Sequence, residues 1–544
     1  MTSRLTVIDF FCGAGGFSEG FRQAGFNVIW AVDLWKPAVD THHENHPEGE
    51  TICDDVIRLS NLPDEEFHNT IPDSHVIVGS PPCTFFSTSN RAGKGDKFKG
   101  VRLIEAYLRI VYRKKYKRNS MLQYWLLENV PKVKDYIRDE YSGFSLGINS
   151  HRILHVKGAF AGEYNAKYFG VPSNRIRYFC GDFPCPETVI RHDADLIPLK
   201  HILTSLGYPN TRLSETIQDP IYDISLPGTD LTDHHYLQLL SDFETSKSIR
   251  LKQDRGYMGR MSIPENPEKP SRTIMATLSC SSREGFILAH QDGRLRAPSI
   301  REVASLMSFP IDYRFYGNSA SSKYRLVGNA VPPKLSYAFA KAILKAKGKR
   351  CRNIYKPIVH ANKLEFTNLN FTETSIKKEK EKRLSARFRY HIPYFIHGTY
   401  RVELTNTHSD FENQDYCWSA EIHYSQGKKR ARMYRPDVHD LFLDARDKKT
   451  AQRFFDLHGH KILSAEEFQN TYCLTTKDRR RKKLVGPHEM LQLVRRFIDQ
   501  HFRFENTLFH ERIGLSSQPY ELPKPIAIGY YIVFKWINLM NKKT

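Results

Sequence analysis

The sequence predicts an α/β protein with a doubly wound, mostly parallel sheet. "LTVIDFF" (5–11) has the apolar pattern of a buried strand, "EGFRQA" that of a short helix closed by Gly25, and "FNVIWAVD" that of a second strand. A strand, helix and strand in this order form the unit from which parallel sheets are built. Residues 1–33 therefore indicate the fold class.

Later segments extend this pattern along the chain. Strands are predicted for 75–80, 124–129 and 175–183, with "ICDDV" (52–56) at the end of a further strand and an amphipathic helix over 103–115. After Pro184 the periodicity weakens, and residues 186–270 predict a loop-rich insert or a small second domain. Periodicity returns at 299–309, and 333–347 predicts a helix.

The last third has a different character. Residues 347–358 have the composition of a linker, and 375–389 predict a charged helix or a solvated arm. From about residue 390 strand-like and helical stretches mix, which predicts a separate α+β domain.

Composition narrows the classes of function. The net charge is +21, from 81 Lys+Arg against 60 Asp+Glu, and it is concentrated in the last third, which favours a polyanionic partner, nucleic acid first. The chain has no leader pattern and no long apolar run, so a soluble, intracellular protein without membrane association is expected. The nine cysteines are scattered, and the closest pair, Cys180 and Cys185, lacks the further ligands of a zinc site; no metal is predicted.

A glycine turn follows the first strand. Gly13, Gly15 and Gly16 permit a tight turn and close approach of a ligand to the backbone. Asp33 lies twenty residues past Gly13 at the end of the second strand, where a carboxylate commonly receives ribose hydroxyls. This combination favours a nucleotide-like ligand over a plain turn.

Two further carboxylates end the third strand. Asp54 or Asp55 could accept a hydrogen bond from an adenine amino group. A solvated turn explains them equally well.

One thiol is held in a stiff loop. In "HVIVGSPPCTFFSTSN" (75–90) Pro81 and Pro82 fix the backbone before Cys83, at the carboxyl end of a parallel strand where open α/β sheets hold their reacting groups. The two phenylalanines could shield the thiol, and the hydroxyls at 87–89 could bind a polar substrate. Taken singly, such a cysteine is more often buried and inert.

Glu128 in "LLENVPKV" (126–133) changes this balance. It stands at the end of another apolar strand, so its carboxyl group is expected at the same sheet edge as Cys83. A carboxyl group in a half-apolar site tends to have a raised pKa and can donate a proton. The alternative is a glutamate that caps a helix or a turn.

Five blocks in this order carry a resemblance. They are "DFFCGAGGFS", "GSPPC", "LLENV", "NRIRYF" and "VGNAVPP". Together they are similar to the DNA (cytosine-5)-methyltransferase family. The resemblance covers roughly the first 345 residues and does not reach the last 190 or so.

The resemblance implies a Rossmann-like methyltransferase sheet that binds S-adenosyl-L-methionine over the glycine turn. By position Cys83 would add to carbon 6 of cytosine, so that carbon 5 takes the methyl group, and Glu128 would hold and protonate ring nitrogen 3. Loss of the carbon-5 proton and expulsion of the thiol restore the ring. Such enzymes flip the target base out of the duplex.

The resemblance also assigns supporting residues. Arg175 and Arg177, two apart on a strand, would share a face and point at the site, one to the base oxygen and the other to a backbone phosphate or to Glu128; two solvated surface arginines are the alternative. Asn329 is expected in a turn before the last helix, near the cofactor. The expected cofactor-binding residues are Phe11, Gly13, Ala14, Gly15, Gly16, Asp33, Leu34, Asp55, Pro81 and Asn329.

Domain boundaries follow from the resemblance up to residue 348 and from composition beyond it. Residues 1–185 and 291–348 form the catalytic domain, 186–290 the target-recognition region, 349–389 a linker or charged arm, and 390–544 a basic, DNA-binding domain. Three positions depart from the family pattern: Thr84, Ser173 and Leu34. None of them is a reacting group, so activity is still expected.

The basic C-terminal third leaves alternatives open. Its stretches 418–436 and 477–484 suit phosphate contacts or form a solvated basic face. Glu421, His423 and Lys428 could suggest a nuclease, but their spacing fits no metal-ligand pattern.

The leading hypothesis is a monomeric, cytoplasmic DNA (cytosine-5)-methyltransferase, nucleoid-associated if prokaryotic. It would act on double-stranded DNA, as the modification enzyme of a restriction-modification system with a separate endonuclease. The alternatives are a transfer-RNA methyltransferase and a non-catalytic DNA-binding protein on the same scaffold.

Overall fold

The computed structural model describes residues 4–86, 97–209, 211, 213–253, 261–277, 279, 282–351, 355–369, 379–397, 400–424, 432–436, 443–502, 508–511 and 520–543. The chain divides into two compact units. The first comprises Met1–Leu240 and Pro264–Ile376, and the second comprises Ser241–Ile263 and Lys377–Thr544. A segment from the middle of the expected recognition region therefore belongs with the C-terminal residues, and the chain passes between the units three times.

A seven-stranded sheet forms the centre of the first unit. The first ten strands are β1 (Thr6–Phe10), β2 (Asn27–Asp33), β3 (Glu50–Cys53), β4 (Val76–Gly79), β5 (Tyr124–Asn129), β6 (Glu140–Ser142), β7 (Ile153–His155), β8 (Gly162–Asn165), β9 (Ser173–Asn174) and β10 (Ile176–Asp182). The sheet order is β3-β2-β1-β4-β5-β10-β8. The first five strands of that order are parallel, and β10 is antiparallel to both of its neighbours. The predicted doubly wound, mostly parallel sheet is confirmed.

Helices cover both faces of this sheet. The first ten helices of the chain are α1 (Gly16–Ala24), α2 (Lys36–Asn45), α3 (Val56–Ser60), α4 (Asp64–Thr70), α5 (Lys97–Tyr116), α6 (Leu199–Leu206), α7 (Asp242–Gln253), α8 (Ile300–Leu306), α9 (Ala320–Asn329) and α10 (Pro333–Ala346). Of these, α7 belongs to the second unit. Alternate residues of β1 enter opposite cores: Ile8 packs with the apolar face of α5, and Val7 packs with that of α10. This period of two is what the apolar strand pattern requires.

The expected recognition region is loop-rich, as predicted. Its short strands and those just after it are β11 (Thr216–Gln218), β12 (Ser225–Pro227), β13 (Ser271–Arg272), β14 (Leu288–Ala289) and β15 (Leu295–Arg296). The strand β13 pairs with β9, which joins the exit of the region to the residues just before β10.

Part of the segment predicted as a linker at 349–389 is packed against the first unit. The backbone N–H of Ile358 donates to Asp312 at 2.9 Å, and that of Leu369 donates to Asp233 at 2.8 Å. Both apolar side chains are buried. The linker prediction is wrong over 355–369, because the acceptors are carboxylates distant in sequence that the local composition does not reveal.

The second unit is an α+β domain. Its further elements are β16 (Arg389–His397), β17 (Tyr400–Thr405), β18 (Ser419–Tyr424), β19 (Arg432–Tyr434), α11 (Ala445–His458), α12 (Ala465–Cys473), α13 (Thr476–Arg481), α14 (Pro487–His501), β20 (Leu508–Glu511), β21 (Tyr520–Pro523) and α15 (Lys524–Asn541). Strands β16 to β19 form an antiparallel sheet in chain order. One face of that sheet packs on α14 and α15 in a single core that contains Val402, Ile422, Val494 and Trp536.

The charged arm expected at 375–389 is only partly described. Residues 379–388 contain no helix, and 371–378 lie outside the described residues. No helix in the described part of the chain is both long and apolar enough to cross a membrane.

Candidate active site

The glycine turn connects β1 to α1 with a left-handed backbone. Phe11, Gly13 and Gly15 have φ of 55°, 54° and 83°. The N–H of Gly13 donates to Oδ2 of Asp33 at 2.9 Å, and the N–H of Trp35 donates to Oδ1 of the same carboxylate at 2.9 Å. Burial raises the pKa of Asp33 above its ordinary value, although these backbone donors oppose the shift. Asp33 therefore holds the turn in place against the end of β2.

Close packing beneath this turn involves Gly16 and Ala14. A Cβ added to Gly16 would lie 1.9 Å from the carbonyl oxygen of Val331, whereas one added to Gly13 would meet only the Phe11 carbonyl oxygen, at 3.9 Å. The buried hydroxyl of Tyr313 donates to the Ala14 carbonyl at 2.5 Å. The turn is thus supported from one side and open beside Gly13, where a ligand can approach the backbone. Tyr313 was not identified from the sequence.

The carboxylates after β3 have structural partners. Asp55 caps α3 by accepting from the N–H of Ile57 at 2.8 Å, and Asp54 accepts from Nε of Arg58 at 2.8 Å. Contacts of this local kind agree with the interpretation of Asp54 and Asp55 as turn residues. Leu34 is 68% exposed.

The loop that carries Cys83 is attached to the sheet by the backbone of Ser80 and Pro81. Pro81 is buried and its carbonyl accepts from Nδ2 of Asn129 at 2.8 Å, while the N–H of Ser80 donates to the Phe10 carbonyl at 3.2 Å. Cys83 itself is half-buried and begins a short 3-10 turn, Cys83–Phe85. The side chain of Thr84 and the hydroxyls at 87–89 lie outside the described residues. The thiol stands at the carboxyl end of β4, as predicted.

Glu128 lies at the end of the neighbouring strand β5 and is 4% exposed. The hydroxyl of Ser80 donates to its Oε2 at 2.6 Å, and Nε of Arg177 lies 3.1 Å from its Oε1. The residue that precedes Pro81 therefore contacts the buried carboxylate directly. Sequence reasoning missed Ser80, although its position just before the two prolines of "GSPPC" was a usable signal.

Arg175 is placed differently from its prediction. It lies before β10, is 1% exposed, and donates from Nη1 to the Ile274 carbonyl at 3.0 Å and from Nη2 to the carbonyls of Gly328 at 3.1 Å and Ala330 at 3.0 Å. Its guanidinium is thus bound to backbone carbonyls, and of the two arginines it is Arg177 that contacts Glu128.

The pKa of Arg175 is lowered to about 9, chiefly by burial and also by Arg177, while the charges of Glu128 and Cys83 oppose the shift. Glu128 lies near the carboxyl end of β5 and Cys83 follows the carboxyl end of β4, the adjacent parallel strand. At neutral pH the guanidinium keeps its charge.

Asn329 also differs from its prediction. It is the last residue of α9 and is exposed, not part of a turn. The carbonyls on either side of it are those bound by Arg175, so the "VGNAVPP" segment is attached to the residues that lead into β10. Ser173, a departure from the family pattern, is buried and donates from Oγ to the Arg272 carbonyl at 3.3 Å.

A cluster in the second unit has ligand-type atoms close together. One atom each of Glu403, Glu421 and His423 lies within 4.8 Å of the others, and all three residues are buried. Arg389 and Arg435 approach the two carboxylates at 2.6 Å.

Burial raises the pKa of Glu403, but the charges of Arg401 and His423 outweigh it and hold the pKa below its ordinary value. The arginines already neutralise the carboxylates, so the contacts are those of an ion-pair network. Lys428, the third residue of the nuclease alternative, lies outside the described residues.

A parallel sheet whose first turn can receive a nucleotide, with reactive side chains at the ends of two adjacent strands, defines an α/β group-transfer enzyme. Residues 5–345 match the family model for C-5 cytosine-specific DNA methylase, and the chain belongs to this family. It is a DNA (cytosine-5)-methyltransferase that uses S-adenosylmethionine. The resemblance and the enzyme class predicted from the sequence are confirmed.

Relatives match a similar share of the chain. A putative type II methyltransferase from Methanocaldococcus jannaschii is 28% identical over 358 residues, which cover 63% of this chain and 99% of that protein. A type II methyltransferase from Methanothermobacter thermautotrophicus is 27% identical over 361 residues, covering 63% and 97%. The crystal structure of a putative DNA modification methyltransferase encoded within a prophage (E. coli) is 22% identical with a TM-score of 0.44, covering 63% and 100%.

Proposed function

We propose that Cys83 is the nucleophile of methyl transfer and that Glu128 is its acid partner. The observation that carries this assignment is the contact of Ser80 and Arg177 with Glu128 at the sheet edge where Cys83 stands. The Cys83 thiolate adds to carbon 6 of a flipped cytosine, which makes carbon 5 nucleophilic. Glu128 holds ring nitrogen 3 and supplies its proton, which offsets the charge that develops during attack.

Each supporting residue has a separate task in this proposal. Arg177 holds Glu128 through Nε, and Ser80 holds the other carboxylate oxygen. Arg175 acts as a positioning residue because its three carbonyl contacts join the segment leading into β10 to the segment around Asn329. After methyl transfer, the carbon-5 proton leaves and the sulfur is expelled, which restores the aromatic ring.

The glycine turn fits the cofactor. Space beside Gly13 is open, whereas Gly16 is packed from beneath, so the turn has one face to offer a ligand. We assign the turn from Phe11 to Gly16, together with Asp33 and Asn329, to binding S-adenosylmethionine. Bound there, this cofactor supplies an electrophilic methyl group.

Adduct formation tests the nucleophile. DNA that contains 5-fluorocytosine lacks the carbon-5 proton whose loss releases the enzyme, so the wild-type protein should form a covalent complex that survives denaturing electrophoresis. Cys83→Ala should form none while it still binds DNA and cofactor. A covalent complex with the variant would reject Cys83 as the nucleophile.

A labelling assay tests which nucleic acid is the substrate. Labelled S-adenosylmethionine should mark double-stranded DNA and leave transfer RNA unlabelled. Labelling of transfer RNA alone would overturn the assignment to DNA, and bisulfite sequencing of DNA from expressing cells reads the target sequence.

We further propose that this enzyme is the monomeric modification methyltransferase of a restriction-modification system, acting in the cytoplasm beside a separate endonuclease. The type II names of its relatives support this role. Residues 186–290 would choose the target sequence and the basic second unit would bind DNA. Expression should protect host DNA from an endonuclease that cuts at the methylated sequence. Bisulfite sequencing identifies that sequence, and unaltered cleavage by every endonuclease that cuts there would contradict the role.

A further inference from the structure

A basic cavity lies within the second unit. Its volume is about 530 Å³, within the range of small-ligand sites. It is bounded by α7, by the segment that contains Glu379 and Lys382, and by the helices α12, α13 and α14. We call it the basic cavity after the six cations that line it: Lys247, Arg250, Lys382, Arg479, Arg480 and Arg496.

The acidic side chains of this cavity are already in use. Glu379 accepts from the N–H of Thr476 at 2.7 Å, and Glu489 lies 3.0 Å from Nη2 of Arg479. Of the six cations, Arg479 alone has a carboxylate within 4.0 Å of its charged group among the residues that the structure describes. In the part of the chain that the structure describes, no carboxylate lies within 4.0 Å of the charged groups of Lys247, Arg250, Arg480 or Arg496.

Two groups at the cavity respond to its positive charge. The pKa of His488 lies well below its ordinary value because of burial and then because of Arg250, Arg479, Lys382 and Lys247. Burial, and then Arg479, also lowers the pKa of Lys382. An anion placed among these side chains would relieve their mutual repulsion, and guanidinium groups bind phosphate through paired N–H donors.

The origin of α7 indicates which anion this is. Helix α7 supplies Lys247 and Arg250, yet its residues fall inside the region expected at 186–290 to choose the DNA target. A phosphate bound here is therefore bound by a segment that continues at both ends into that region. Phosphate contacts of this kind fix the register of a protein on a duplex without reading bases.

We propose that the basic cavity binds backbone phosphates of the DNA substrate, separately from the site that receives the flipped cytosine. The proposal rests on DNA being the substrate. Free nucleotides carry the same phosphate chemistry, so the experiment includes them as a separate arm.

The test uses the full chain and the variant Arg480→Gln/Arg496→Gln. Both side chains are exposed at the cavity, so their replacement leaves the packed core intact. The dissociation constant for a fluorescent duplex is measured by anisotropy over a series of KCl concentrations. Loss of two phosphate contacts should reduce the slope of log K against log salt by about 1.8 and weaken binding about 60-fold at about 0.1 M salt.

The matched control is Lys477→Gln/Lys482→Gln. It removes the same charge from exposed side chains on and just after α13 that do not line the cavity. This variant should keep the wild-type slope. An equal loss in the control would overturn the proposal, because long-range charge alone would then explain it.

Adenosine triphosphate and inorganic phosphate form the second arm, by calorimetric titration. If the cavity variant loses binding of either probe while its DNA affinity stays at the wild-type value, the assignment to DNA phosphates is wrong. The covalent adduct with 5-fluorocytosine DNA is scored on the same preparations. Failure of the Cys83 chemistry is thereby separable from failure of the phosphate contacts.

Discussion

Ser80→Ala isolates the support given to Glu128. The hydroxyl of Ser80 donates to Oε2 at 2.6 Å, while Arg177 remains 3.1 Å from Oε1. A hydrogen bond to a charged group contributes about 1.5–3 kcal/mol. If this energy serves to hold the carboxyl group for the base, its loss should lower the rate of methyl transfer about 10- to 150-fold.

The assay is single-turnover transfer from tritiated S-adenosylmethionine at saturating DNA and cofactor. The variant should lose rate without a change in cofactor affinity, because Ser80 lies at the end of β4 and contacts Glu128 rather than the glycine turn. Ser74→Ala is the matched control. Ser74 is buried before the other end of β4 and its hydroxyl donates to the Val76 carbonyl at 2.8 Å. It should cost about 1 kcal/mol of stability and leave the rate unchanged.

Two results would refute this reasoning. A wild-type rate for Ser80→Ala would show that Arg177 alone holds Glu128. An equal loss of rate for Ser74→Ala would show that general loosening of β4, rather than the Ser80 contact, controls the reaction.

The remaining predictions concern stability and the role of the second unit in binding. Gly16→Ala should destabilise the fold by about 3 kcal/mol in urea titrations, because its Cβ would lie 1.9 Å from the Val331 carbonyl oxygen. The control Gly162→Ala, whose Cβ would have nothing within 4 Å, should change stability by less than about 0.5 kcal/mol. Equal effects of the two substitutions would contradict this explanation from packing. Burial raises the pKa of Asp9 to about 7, so its folded form binds a proton that the unfolded chain has released, and wild-type stability should fall as pH rises from about 4 to 7. Because Asp9→Asn removes this titrating group, the unfolding free energy of the variant relative to the wild type should rise by up to about 4 kcal/mol over that pH range. If the two proteins show parallel curves of unfolding free energy against pH, Asp9 has no such effect. Removal of residues 377–544 should leave a protein that binds cofactor but binds DNA weakly; loss of cofactor binding in calorimetry would make the second unit part of the catalytic fold.

Local pattern was sufficient to predict the sheet and to place Cys83 and Glu128 at one of its edges. Apolar runs identify β4 and β5, and the carboxyl ends of adjacent parallel strands meet at one edge. Cys83 and Glu128, each at such an end, could therefore be placed together before any contact was known. The enzyme class followed from motifs that occur in order, which depends on sequence alone.

The contacts of the supporting residues could not be predicted in this way. Arg175 binds carbonyls 99, 153 and 155 residues away, and Tyr313 binds the Ala14 carbonyl across 299 residues. Spacing along a strand suggested that Arg175 and Arg177 share a face, but β10 begins only at Ile176, so the alternation does not extend to Arg175. Neither periodicity nor composition carries information about partners at such separations.

The division of the second unit between two stretches of chain has a consequence during synthesis. Residues 241–263 leave the ribosome long before the segment that begins at Lys377. At about 5–20 residues per second, the 113 residues between Ile263 and Lys377 take roughly 6–23 s to synthesise. For that time α7 lacks the C-terminal segment with which it forms the second unit. The second unit can therefore fold only after residues beyond Lys377 have been made, and an mRNA truncated before them would release a first unit that carries an unpaired helix.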